Sequence, residues 1–174
     1  AHDTARGPIL PRNCVKRAMD ASSLSLEEVE APMRTISRML LAVLLAGALP
    51  VFAEIDATLC MSAEGIRTVL SPKTKAILLV HMCGAAADLD GIIAICKEKN
   101  IQLIEDSAQA LGASYKGKML GTFGLMGSFS YDFFKINTCG EGGIVITDDH
   151  ELWDTAQQFA DHGHDHIGNN RGME

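Results

Sequence analysis

The sequence lacks an excess of basic residues: 15 lysines and arginines stand against 22 acids, for a formal net charge of −7. That balance argues against a nucleic-acid binder, which carries a basic face. Five cysteines are present, Cys14, Cys60, Cys83, Cys96 and Cys139, but none is spaced as Cys-x-x-Cys and the number is odd. A disulfide framework is therefore not expected, and reduced thiols in a cytosolic protein are. No apolar run is long enough to span a bilayer. There is no internal repeat, low-complexity tract or interdomain linker. What is present is ordinary for a soluble globular protein: 174 residues, 47% hydrophobic and 21% charged, enough for one domain with a sizeable core.

Residues 33–53 allow two readings. Met33-Arg34-Thr35-Ile36-Ser37-Arg38 is basic, residues 39–52 are apolar, and Val51-Phe52-Ala53 fits a small-residue cleavage rule. Together they resemble a secretory signal, which would make Met33 the start of a secreted protein. The segment is internal, however. The alternative is a buried helix over residues 39–46, a turn at Gly47 and a strand over residues 50–55. This second reading leads directly into the pattern that follows.

Residues 1–30 show no clear period; Pro8 and Pro11 break any early element. From residue 39 the chain alternates helix and strand. Helices are expected at 62–70, capped by Ser62, at 88–99, with Leu89, Ile92, Ile93 and Cys96 on one face and Asn100 ending it, and at 150–161, with Leu152, Ala156 and Phe159 at helical spacing. Strands are expected at 75–81, 101–106, 127–132 and 143–147. The first two are continuous apolar runs, as strands buried on both faces should be. The pattern predicts an α/β fold with a largely parallel sheet flanked by helices. Sites in such sheets lie beyond the carboxyl ends of the strands. His81, Asp106 and the loop from Ser130 to Lys135 all fall there.

Asp106 ends an apolar run. A buried carboxylate needs a partner, and a protonated pyridine nitrogen would be one; capping the following turn is the plain alternative. Gln109 stands three residues later, either facing a cofactor ring or solvated. Ser130 offers a hydroxyl suited to a phosphate oxygen. Lys135 follows Phe133-Phe134 and precedes Ile136, an apolar setting that would favour a neutral, nucleophilic amine. Gly140-Glu141-Gly142-Gly143 permits a sharp return into the next strand. An acid at a strand end, a serine five residues before a lysine, and a glycine-rich return are the parts of a pyridoxal 5'-phosphate (PLP) site. There Lys135 forms the Schiff base and Asp106 keeps the ring an electron acceptor. His162-Gly163-His164-Asp165-His166 reads as a polar loop at a substrate entrance. A hydrolytic metal centre is its rival reading, but no second ligand set accompanies it.

Four runs carry a family resemblance: Ile104-Glu105-Asp106-Ser107-Ala108-Gln109-Ala110, Gly112 to Lys118, Gly127-Ser128-Phe129-Ser130 through Lys135, and Gly140 to Gly143. The sequence from about Ala31 onward resembles the DegT/DnrJ/EryC1/StrS aminotransferases, PLP-dependent enzymes of the aspartate-aminotransferase-like fold (type I). The resemblance implies that residues 31–174 are part of the large PLP-binding domain and that the C-terminal small domain is absent. It assigns Lys135 as the catalytic lysine, Asp106 to the pyridine nitrogen, Gln109 to the side of the ring and Ser130 to the phosphate, with no metal. It implies amino transfer from glutamate to a keto-sugar, nucleotide-linked or of octulosonate type, in a cytoplasmic homodimer. Some relatives replace the lysine by histidine and act as dehydratases; Lys135 favours transamination.

Three departures accompany the resemblance. The Ser-Gly-Thr-type phosphate turn that relatives carry upstream is not found in residues 1–30. Ile36 stands where an aromatic residue would stack on the cofactor, and Arg34 and Arg38 are foreign to that segment. The alternative reading is a catalytically incomplete fragment, lacking the dimer-contact segment and the small domain, that acts at most as a binding module.

Overall fold

The computed structural model describes residues 41–161. Residues 1–30, Ile36 and the His162–His166 cluster lie outside them. Residues 41–45 are helical, within the helix expected over 39–46, but that helix is not buried as expected: Leu41, Leu44 and Leu45 are exposed, and the chain leaves it through Gly47 at φ +74°. The expected strand over residues 50–55 is not formed; the structure has only an isolated bridge between Ile55 and Met61 there. Apolar residues alone do not make a strand, which needs a hydrogen-bonding neighbour along its length.

From residue 52 onward the fold is a four-stranded sheet. Helix α1 (Ala63–Val69) starts at Ser62, whose side chain accepts from the Gly65 N–H at 2.9 Å. Strand β1 (Ala76–Val80) leads through a 3-10 turn (Met82–Gly84) to helix α2 (Leu89–Lys99). Asp88 caps α2 at its start, and Asn100, in the left-handed conformation, ends it as the sequence predicts. Strand β2 (Gln102–Asp106) is followed by a short hairpin, β3 (Ser114–Tyr115) and β4 (Lys118–Met119), then by β5 (Met126–Ser130), β6 (Gly143–Ile146) and helix α3 (His150–Ala160).

The order across the sheet is β1-β2-β5-β6. β1, β2 and β5 are mutually parallel, with Val80 opposite Asp106 and Asp106 opposite Ser128. β6 runs antiparallel to β5. The connection from β5 to β6 contains no crossover helix, so the chain returns alongside the strand it has just left. The four strands expected from residue 75 onward are therefore all present, and the sheet is mostly parallel.

Period two sorts the strand residues onto two faces. Ile77, Leu79, Leu103 and Phe129 are buried on one face, and the core there is completed by Leu89, Ile92 and Ile95 of α2 and Ile66 of α1. Full burial of each such side chain contributes about 1.5–3 kcal/mol. Ile95 takes the core position expected for Ile93, which is only half-buried. The opposite face carries Leu78, Val80, Ile104 and Met126, half-buried, and ends in Asp106, Ser128 and Ser130. On α3, Leu152 and Ala156 are half-buried, whereas Phe159 is 91% exposed and does not join the stripe its spacing suggested.

Candidate active site

Because β2 and β5 are parallel neighbours, their carboxyl ends lie side by side. Asp106 is the last residue of β2 and Ser130 the last of β5. Both are half-buried on the same face, with Ser128 between them in the pleat and directly in register with Asp106. Asp106 performs the plain role considered for it: Oδ1 accepts from the Ala108 N–H at 3.0 Å and closes the turn after the strand. One carboxylate oxygen suffices for that bond, and Oδ2 remains an available acceptor. The Ser130 Oγ accepts from the Asp132 N–H at 3.2 Å, which leaves its own O–H to donate.

Lys135 follows a turn organised by Asp132. The Phe134 N–H donates to Asp132 Oδ1 at 3.1 Å, and the Lys135 N–H donates to the Asp132 carbonyl at 3.0 Å. The return is tied down by Thr138 Oγ1, which donates to the Tyr131 carbonyl at 3.1 Å, and by the Tyr131 N–H, which donates to Gly142 O at 2.9 Å. Gly142 adopts φ +148°, which favours glycine. Lys135 is half-buried and has no carboxylate within ion-pair distance among the described residues. The apolar enclosure expected around it is not formed. Phe133, Phe134 and Ile136 are 68%, 88% and 80% exposed.

Gln109 is exposed, yet it is not simply solvated. Its Oε1 accepts from the Cys83 N–H at 2.8 Å, joining the loop after β2 to the turn after β1. Cys83 presents that N–H from a left-handed conformation, φ 53°. With Oε1 engaged, the Gln109 amide nitrogen is the end left to meet a ligand.

Sequence reasoning placed His81 at a strand end and gave Glu105 no role. The structure makes them a wholly buried pair, with Nε2 and Oε1 3.0 Å apart. Glu105 Oε1 also accepts from the Gly121 N–H at 2.8 Å, while Oε2 accepts from Phe123 and Gly124 at 2.6 and 2.7 Å. Burial pushes this carboxyl up, but the bonds from His81 and the Gly124, Gly121 and Phe123 amides together outweigh it and hold it below the ordinary glutamate value. An ionised carboxylate only accepts, so Nε2 carries the proton of this bond. The sequence did contain a signal: Glu105 alternates with Leu103 on the buried face, whereas Asp106 alternates with Ile104.

Among the described residues no three or more His, Cys, Asp or Glu side chains are grouped to hold a metal, and no helix is long and apolar enough to cross a membrane.

Comparison with known proteins bears on the family and the fold. Residues 16–173 match the model of the DegT/DnrJ/EryC1/StrS aminotransferase family. GDP-perosamine synthase of Escherichia coli O157:H7 is 39% identical over 156 residues, which are 84% of this chain and 43% of that protein. Among solved structures, an aminotransferase from Psychrobacter cryohalolentis is 43% identical with a TM-score of 0.70, over 73% of this chain and 33% of that one. An Escherichia coli GDP-4-keto-6-deoxy-D-mannose-3-dehydratase, solved with hydrated PLP, is 36% identical with a TM-score of 0.58, over 61% of this chain and 28% of that one. The chain spans less than half the length of these relatives. With a family match over nearly its whole length and a sheet that reproduces part of the type I aminotransferase fold, the chain belongs to the DegT/DnrJ/EryC1/StrS aminotransferase family.

Proposed function

We propose that this chain is the central part of a PLP-dependent aminotransferase that moves an amino group from glutamate to a keto-sugar, nucleotide-linked or of octulosonate type. The observation that supports the reading is that Asp106 and Ser130 end two adjacent parallel strands on one face, with Gln109 and Lys135 in the loops that leave those ends. The donor set fits the group. Asp106 Oδ2 is an available acceptor for a ring N–H, the Ser130 hydroxyl has its proton to give to a phosphate oxygen, and the Lys135 amine has no competing carboxylate among the described residues.

Bound PLP would supply an electron sink for the substrate carbon that bears nitrogen. Asp106 would hold the ring nitrogen protonated, and Ser130 would anchor the phosphate. Gln109, its carbonyl turned toward Cys83, would present N–H to the side of the ring. Lys135 would hold the cofactor covalently through Nζ and then move a proton at the substrate carbon. The family relationship extends the reading to amino-sugar formation by a cytoplasmic homodimer.

The test is the first half-reaction. The purified chain is loaded with PLP and given glutamate, and 2-oxoglutarate is measured. One equivalent per bound cofactor supports the reading; bound cofactor with no 2-oxoglutarate contradicts it.

A further inference from the structure

The PLP reading leaves His81 without a part, although it is wholly buried and bonded at both its backbone and its ring to the end of β2. Its backbone N–H donates to the Asp106 carbonyl at 3.0 Å. Its ring Nε2 donates to Glu105 Oε1 at 3.0 Å. Two residues on, the Cys83 N–H donates to Gln109 Oε1 at 2.8 Å. One short segment after β1 therefore grips the chain on both sides of Asp106 and again at Gln109. Glu105 in turn gathers three amides of the loop from Gly121 to Gly124, so the grip extends to the chain that enters β5. All of these groups are buried or half-buried except Cys83 and Gln109.

We propose that His81 is a positioning residue for the cofactor site, acting through Glu105 to fix the direction of Asp106 and Gln109. Adjacent strand residues point to opposite faces, so locking the Glu105 side chain into the core fixes Asp106 toward the open face. A rotation of the Glu105–Asp106 peptide would break the imidazole bond and displace the Asp106 carboxylate together. The His81–Cys83 turn sets the distance at which Gln109 is held. The essential feature is an N–H at the reach of Nε2. Glutamine supplies such a donor at a similar reach, and asparagine is too short.

This proposal rests on the PLP reading, and the experiment separates the two. PLP dissociation constants are measured by the visible absorbance band of the bound cofactor for the parent chain, His81→Gln and His81→Asn. Folding is followed by circular dichroism. The expected result is that His81→Gln binds within about threefold of the parent while folded His81→Asn binds more weakly by roughly tenfold or more, the scale of a lost hydrogen bond to a charged group. Equal binding by folded His81→Asn and a PLP-binding parent overturns the positioning role alone. If His81→Asn does not fold, His81→Gln decides: retained binding supports the donor role, and lost binding in a folded protein overturns it. A parent chain that does not bind PLP overturns the PLP reading, and this proposal with it.

Discussion

The imidazole Nε2 of His81 lies 3.0 Å from Oε1 of Glu105, and neither side chain reaches solvent. Removing Glu105 leaves the His81 ring buried without its acceptor. Glu105→Ala also strips the Gly121, Phe123 and Gly124 amides of their acceptor. A loss of about 3–5 kcal/mol is expected, the scale for breaking a buried pair. Urea denaturation measures it as a lower midpoint.

The same carboxylate sets an acid limit. Its pKa in the folded chain lies below the ordinary value of 4.5. A group depressed in this way adds stability at pH above its unfolded value and loses it as pH falls through the lower folded value. Stability is therefore expected to hold from neutrality down to about pH 4.5 and to decline below it. Asp90 and Glu98 are also lowered, by Lys116 and by Lys99 with Arg67, but these pairs are solvent-exposed and add little. Thermal melts across the acid range test this; a melting temperature flat well below pH 4.5 would contradict the buried network.

Two glycines give a contrast. A Cβ at Gly127 would lie 2.0 Å from the Gly121 carbonyl oxygen, a backbone atom that cannot swing aside. At Gly117, φ +81°, no atom lies within 4 Å, so only the conformational cost remains. Gly117→Ala is expected to cost about 1–2 kcal/mol. Gly127→Ala is expected to cost about 3 kcal/mol, the upper end for overpacking. Equal denaturation midpoints for the two variants would show that β5 does not press against the Gly121 loop as described.

Phe134 is 88% exposed beside Lys135. Phe134→Ser is therefore expected to change stability by no more than about 0.5 kcal/mol, as at other surface positions. A large loss on denaturation would show that Phe134 is covered after all.

Much of this arrangement was legible before any coordinates. Buried parallel strands are continuous apolar runs, and β1 and β2 announce themselves that way; Ser62 and Asn100 mark helix ends by their chemistry. The antiparallel return of β6 was not read, although the connection before it contains no helix. The β3–β4 hairpin was missed because two-residue strands carry no period. Residues 50–55 were read as a strand because their composition suits one, and composition does not reveal a missing partner. In the candidate site, the strand-end places of Asp106 and Ser130 were legible from local spacing. The His81–Glu105 pair was not, since it joins residues 24 positions apart through strand register. The exposure of Phe133 and Ile136 was equally hidden: apolar neighbours in sequence need not enclose the residue between them.

The central claim is that Lys135 is the residue that holds PLP. The most direct measurement is to mix the chain with PLP, reduce with borohydride, and map the modified lysine by mass spectrometry, with Lys135→Arg alongside. The account predicts one label per chain at Lys135, and none above background in the variant. Labelling scattered over several lysines, or unchanged in Lys135→Arg, would contradict it.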